Sequence, residues 1–156
     1  MTDALAGDLP GELEARPPVA RMAIAVLALI GLLVAAYLSM YKLGMLGVIQ
    51  CQIGSCETVQ TSRYAYFLGM PVAFYGVGAY IAILVVAMLG IQPRFERERW
   101  VALALFGMSA VGVLFSAYLT YLEAAVIHAW CQWCVVSAVL ITLIFLLSLP
   151  GLRQAR

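Results

Sequence analysis

The sequence predicts an all-α integral membrane protein: a four-transmembrane-helix bundle with a long external loop between helices 1 and 2. Composition is the first observation behind this. The 156 residues are 65% hydrophobic and only 11% charged, with a mean hydropathy of +1.00, whereas a water-soluble domain of this size exposes far more charge. The second is charge clustering. Residues 22–41, 64–93, 100–122 and 124–152 lie in uncharged gaps, each long enough for the roughly 20 apolar residues of a spanning helix. The third is where the basic residues fall. Arg16 and Arg21 precede the first gap, Arg94, Arg97 and Arg99 fill one short connection, and Arg153 and Arg156 close the chain, leaving only Lys42 and Arg63 on the other side. The positive-inside rule then puts both termini in the cytoplasm. The net charge of +1 carries no information about nucleic-acid or acidic partners.

Along the chain, residues 1–18 read as a short cytoplasmic extension, 19–150 as the membrane domain and 151–156 as a cytoplasmic tail. Asp3, Asp8, Glu12 and Glu14 make the first segment unlike the short basic start of a cleaved signal peptide, so the first span is expected to be retained. Helices are expected at roughly 20–41, 70–90, 100–122 and 131–150. Gly69-Met70-Pro71 opens the second, with Pro where a helix start tolerates it. Gly76, Gly78 and Gly112 read as sites of close helix packing. The connection 42–69 is long for a bundle and therefore a candidate for function. Its Tyr64, Tyr66 and Phe67 suit a cap lying at the membrane surface. Glu123 reads as a marker of the external end of the third span.

The chemistry lies in four cysteines, Cys51 and Cys56 in the long loop and Cys131 and Cys134 at the start of the fourth span. The charge bias puts all of them outside the cytoplasm, where disulfides persist. Cys131-Gln132-Trp133-Cys134 is the sharper motif. Cysteines three apart share a helix face, and a helix N-terminus favours the thiolate, the reactive form. Cys51 and Cys56, with four residues between them including Gly54, suit a mobile loop whose thiols swing between partners. Two pairs together suggest a redox relay; a zinc site and static structural disulfides are the alternatives. His128, three residues before Cys131, is a candidate to lower that thiol's pKa or to donate a proton.

One stretch carries more than composition and spacing. CETVQTSRYAYFLGMPVAFYGVGAY, with the C-x4-C pair at its start and CxxC opening the fourth span, resembles the bacterial vitamin K epoxide reductase family over roughly residues 20–150. DsbB-type disulfide-forming oxidases have the same two kinds of pair in the reverse order. The resemblance implies a thiol–disulfide oxidoreductase of the bacterial inner membrane, with Cys51 and Cys56 as shuttle pair and Cys131 and Cys134 as active-site pair. It implies a supporting role for Ser62. It also implies a quinone cofactor, ubiquinone or menaquinone, expected near Pro71, Phe74, Tyr75 and Trp133. Many bacterial members continue into a thioredoxin-like domain, and the chain stops at Arg156, so the expected partner is a separate periplasmic thioredoxin-fold, DsbA-like protein. Ala138 stands where vertebrate members carry a tyrosine, which favours quinone over vitamin K epoxide as the acceptor. A membrane carrier of thiophilic metal ions and a structural subunit with inert disulfides are the readings from other classes.

Overall fold

The computed structural model describes residues 17–96 and 98–154. The expected extension 1–18 falls almost wholly outside them, as do Arg16, Arg97 and Arg156. The elements are α1 (Pro17–Lys42), α2 (Cys56–Thr61), a 3-10 turn (Arg63–Ala65), β1 (Tyr66–Phe67), β2 (Met70–Pro71), α3 (Val72–Ile91), α4 (Arg99–Leu122), a π turn (Glu123–Ile127) and α5 (Gln132–Gln154). The four long helices are each long and apolar enough to cross a membrane. The protein is thus an integral membrane protein. Leu33, Met88, Leu103 and Leu114 point outward and are exposed, which suits lipid rather than water.

The spans form a ring in which α1 packs on α3 and α5, and α4 packs on α5 and α3. Lipid gives helices no hydrophobic reason to associate, so close packing of small side chains carries the contact. The tight core holds Ile24 and Ala28 of α1, Ile83 and Ala87 of α3, Val101 of α4 and Ile144 of α5, all almost fully buried. These residues occupy the half of the bundle away from the cysteines. A β-carbon on Gly112 would stand 2.7 Å from Ile141 Cγ1, so only glycine allows α4 this near α5. Gly78, by contrast, faces open space.

Met70 and Pro71 do not start the second span. They form β2, paired antiparallel with β1 across a turn at Leu68 and Gly69, both of positive φ. Pro71 is extended, with φ −57° and ψ 134°, and the helix begins at Val72. Two adjacent positive φ values match the mirror-image turns that join tight hairpins, and this hairpin claims the residues that the Gly-Met-Pro pattern gives to the helix. At the far end of α4 the backbone widens into the π turn, then reverses at His128 with φ 55°.

Candidate active site

The long loop is docked, not loose. Gly54 pairs with Cys131 in an isolated antiparallel bridge, and Ser55 N–H donates to the Trp130 carbonyl at 2.9 Å. A β-carbon on Gly54 would lie 2.3 Å from that same oxygen, and its φ is +90°. Glycine is required there on both counts. The Gln132 side-chain oxygen accepts the Gln52 and Ile53 N–H groups, each at 3.2 Å. Trp133 Nε1 donates to the Gln50 carbonyl at 2.8 Å, and Gln50 N–H donates to the Tyr37 hydroxyl at 2.9 Å. The Tyr37 and Trp133 rings meet at 5.2 Å. The segment around Cys51 is therefore clamped onto the start of α5 by bonds from its backbone to the Gln132 and Trp133 side chains.

Cys51 and Cys56 form a disulfide, while Cys131 and Cys134 are free thiols. Cys56 and Cys131 are almost fully buried and pack in one small cluster with Val59, beside Cys51 and Cys134. The two CxxC thiols face different surroundings. Cys131 lies under the loop; Cys134 opens onto a cavity of about 400 Å³ between the spans. Val34 and Leu38 of α1, Ala79 of α3, Met108 and Phe115 of α4 and Ile141 of α5 give it apolar walls. Tyr80 and Ser137 join across it, with the hydroxyl groups 2.9 Å apart. The loop residues Val59, Gln60, Ser62 and Tyr64 close its outer end.

Polar groups gather around Cys134. Gln60 is buried, and its Nε2 stands 3.8 Å from Cys134 Sγ. The Gln60 carbonyl accepts from Lys42 Nζ, an ammonium that also lies 4.5 Å from the centre of the Tyr66 ring. Glu123 is buried, and its carboxylate accepts the Cys131 N–H at 3.1 Å. The Cys131 thiol is held below the ordinary cysteine range, first by its hydrogen bond with the Cys134 thiol; burial and the Glu123 carboxylate push the other way. Cys131 therefore gives up its proton more readily than an ordinary cysteine.

A cysteine pair split between a docked disulfide loop and an apolar membrane cavity is the decisive arrangement. Residues 22–149 match the model of the vitamin K epoxide reductase family. The chain belongs to that family. Membership makes it a membrane thiol oxidoreductase, in keeping with its two cysteine pairs. Other residues singled out in the sequence of this family member are spread more widely. Ser62 Oγ donates to the Val59 carbonyl at 2.7 Å, ending α2, and Ser62 lines the cavity. Tyr75 lines it too, with its hydroxyl bound to the Phe67 carbonyl at 3.0 Å. Pro71, Phe74 and Trp133 lie outside its lining, Trp133 being taken up by the loop clamp. His128 is exposed, and its backbone N–H donates to the Glu123 carbonyl. Gln60, Lys42 and Tyr37 join the site without any motif to announce them. The signal for Glu123 is a carboxylate at the end of an apolar span, a placement that is costly unless used.

Proposed function

We propose that this family member reoxidises a periplasmic thioredoxin-fold dithiol protein and delivers the electrons to a membrane quinone, so supporting disulfide bond formation. The split of the CxxC pair carries the reading: Cys131 packs with Cys56, and Cys134 faces the cavity. In that scheme a reduced partner attacks the exposed side of the Cys51–Cys56 disulfide and leaves a loop dithiol. The Cys56 thiolate then attacks Cys131 of the oxidised active-site pair, freeing Cys134. Cys51 resolves the Cys56–Cys131 disulfide, which restores the loop disulfide and leaves the dithiol at Cys131 and Cys134. Each exchange moves two electrons, and about 30 mV between pairs is worth about 1.4 kcal/mol, so small steps in potential suffice to direct it.

The cavity suits a quinone ring. Its volume of about 400 Å³ falls within the roughly 300–1,000 Å³ of small-molecule sites, and its walls are apolar with few polar groups. Ser62, Gln60, Glu123 and Tyr80 are the groups on hand to orient carbonyl oxygens, and the loop excludes water from the thiols. A quinone bound there supplies a two-electron, two-proton acceptor; the protein contributes proximity and a favoured thiolate. The positive-inside argument sets the cysteines on the periplasmic side of a bacterial inner membrane. The test is direct. Purified protein, given a reduced thioredoxin-fold dithiol protein and a short-chain ubiquinone or menaquinone, should reduce one quinone per disulfide formed. Disulfide formation without quinone consumption would refute the acceptor.

A further inference from the structure

Glu123 takes no part in the exchanges above, yet it stands at their last step. Its side chain is 3% exposed, at the end of α4 where the π turn begins. The π turn explains how it gets there. The N–H groups of His128 and Ala129 both reach the Glu123 carbonyl, and this folds the end of α4 back onto the start of α5. Its carboxylate then accepts the Cys131 N–H at 3.1 Å and lines the same cavity as Cys134. Burying a carboxylate is costly. Accepting a backbone N–H needs no charge, since an amide oxygen would serve. What an amide cannot do is carry a proton, and the reaction at this spot moves protons.

We propose that Glu123 is the proton-transfer group between Cys134 and the quinone, an inference that rests on the quinone reading above. The starting state is a thiolate at Cys131 and a thiol at Cys134. The Cys134 S–H bond breaks and its proton passes to a Glu123 carboxylate oxygen. A sulfur–sulfur bond forms between Cys131 and Cys134, and the released electron pair goes to the acceptor. Glu123 then gives its proton to an acceptor oxygen and returns to the carboxylate, and solvent supplies the second proton. One thiol, one thiolate, one quinone and one proton become one disulfide and one hydroquinone, so charge and electrons balance. Positioned proton transfer of this kind is worth about 10²- to 10⁴-fold in rate.

The test uses the full chain in detergent with Glu123→Gln, which keeps an oxygen for the Cys131 N–H, and Glu123→Asp, which keeps the proton. One readout is turnover of a short-chain ubiquinone. The other needs no quinone: the infrared difference spectrum between the dithiol and disulfide states, read in the carboxylate stretching region, because Glu123 is ionised in both states and only the dithiol state offers it the Cys134 proton. Expected is a carboxylate band that shifts between the two states in the native protein and is lost in Glu123→Gln. Turnover should fall about 100-fold or more in that variant, and Glu123→Asp should recover part of it. A Glu123→Gln protein at native turnover, or a native protein with no carboxylate band shift, would overturn the proposal. Should Glu123→Gln fail to fold, the native infrared band decides alone. If the native protein reduces no quinone, the acceptor reading fails, and the infrared band still reports whether Glu123 shares the Cys134 proton.

Discussion

At the scale of single residues, the two members of the CxxC pair are not equivalent. Cys131 is fully buried beneath the loop, and Cys134 borders the cavity. The hydrogen bond from Cys134 is the main cause of the lowered Cys131 pKa, so the sign of a change follows. Thiolate at Cys131 should build up at a lower pH than for a free cysteine. Cys134→Ala should move that midpoint upward, because the stabilising bond goes while burial and Glu123 remain. Thiolate ultraviolet absorbance against pH, in protein with the loop disulfide intact, measures both. The cysteines were legible in the sequence because CxxC and C-x4-C are patterns. Gln60 and Lys42 were not, since a lone glutamine and a lone lysine show no pattern until folding sets them beside Cys134 or its neighbour. Glu123 could be found only as a charge at a span's end, and that position alone gave it a boundary role.

Among elements, the spans follow from the uncharged gaps in the sequence, but the second and fourth helices begin at Val72 and Gln132, well inside the gaps that open at 64 and 124. The loop was less legible. Its clamp joins residues about eighty positions apart, such as Gln52 and Gln132, and no local pattern encodes so distant a contact. Gly54 reads in the sequence as a source of mobility. In the fold it permits close approach, since its missing β-carbon lets the loop meet the Trp130 carbonyl. Gly54→Ala should therefore undock the loop at a cost of about 1–3 kcal/mol, the usual range for a strained non-glycine φ. The measurement is the yield of a trapped Cys56–Cys131 disulfide in protein lacking Cys51 and Cys134. That yield should drop sharply with Gly54→Ala and stay unchanged with Gly78→Ala, whose site is open.

For the whole molecule, a tight helical core at one end and a cavity with the cysteines at the other divide support from chemistry. The orientation proposed from the distribution of basic residues puts the cavity end outside the cytoplasm. After reduction of intact cells, a membrane-impermeant thiol reagent should reach Cys51 or Cys56. Labelling that appears only after permeabilisation would reverse the orientation and remove the oxidising compartment from the account.

The sequential relay is the central claim, and quinone reduction by three proteins tests it most directly: the native chain, Cys134→Ala, and a variant with both Cys51 and Cys56 replaced by Ala. Each is supplied first with a reduced thioredoxin-fold protein and then with a small dithiol. The native chain should turn over with both reductants, and Cys134→Ala with neither. The loop variant should lose the protein reductant and keep measurable activity with the small dithiol, because the active-site pair beside the cavity is intact. Quinone reduction by Cys134→Ala, or a loop variant that accepts electrons from the protein as well as the native chain does, would contradict the relay.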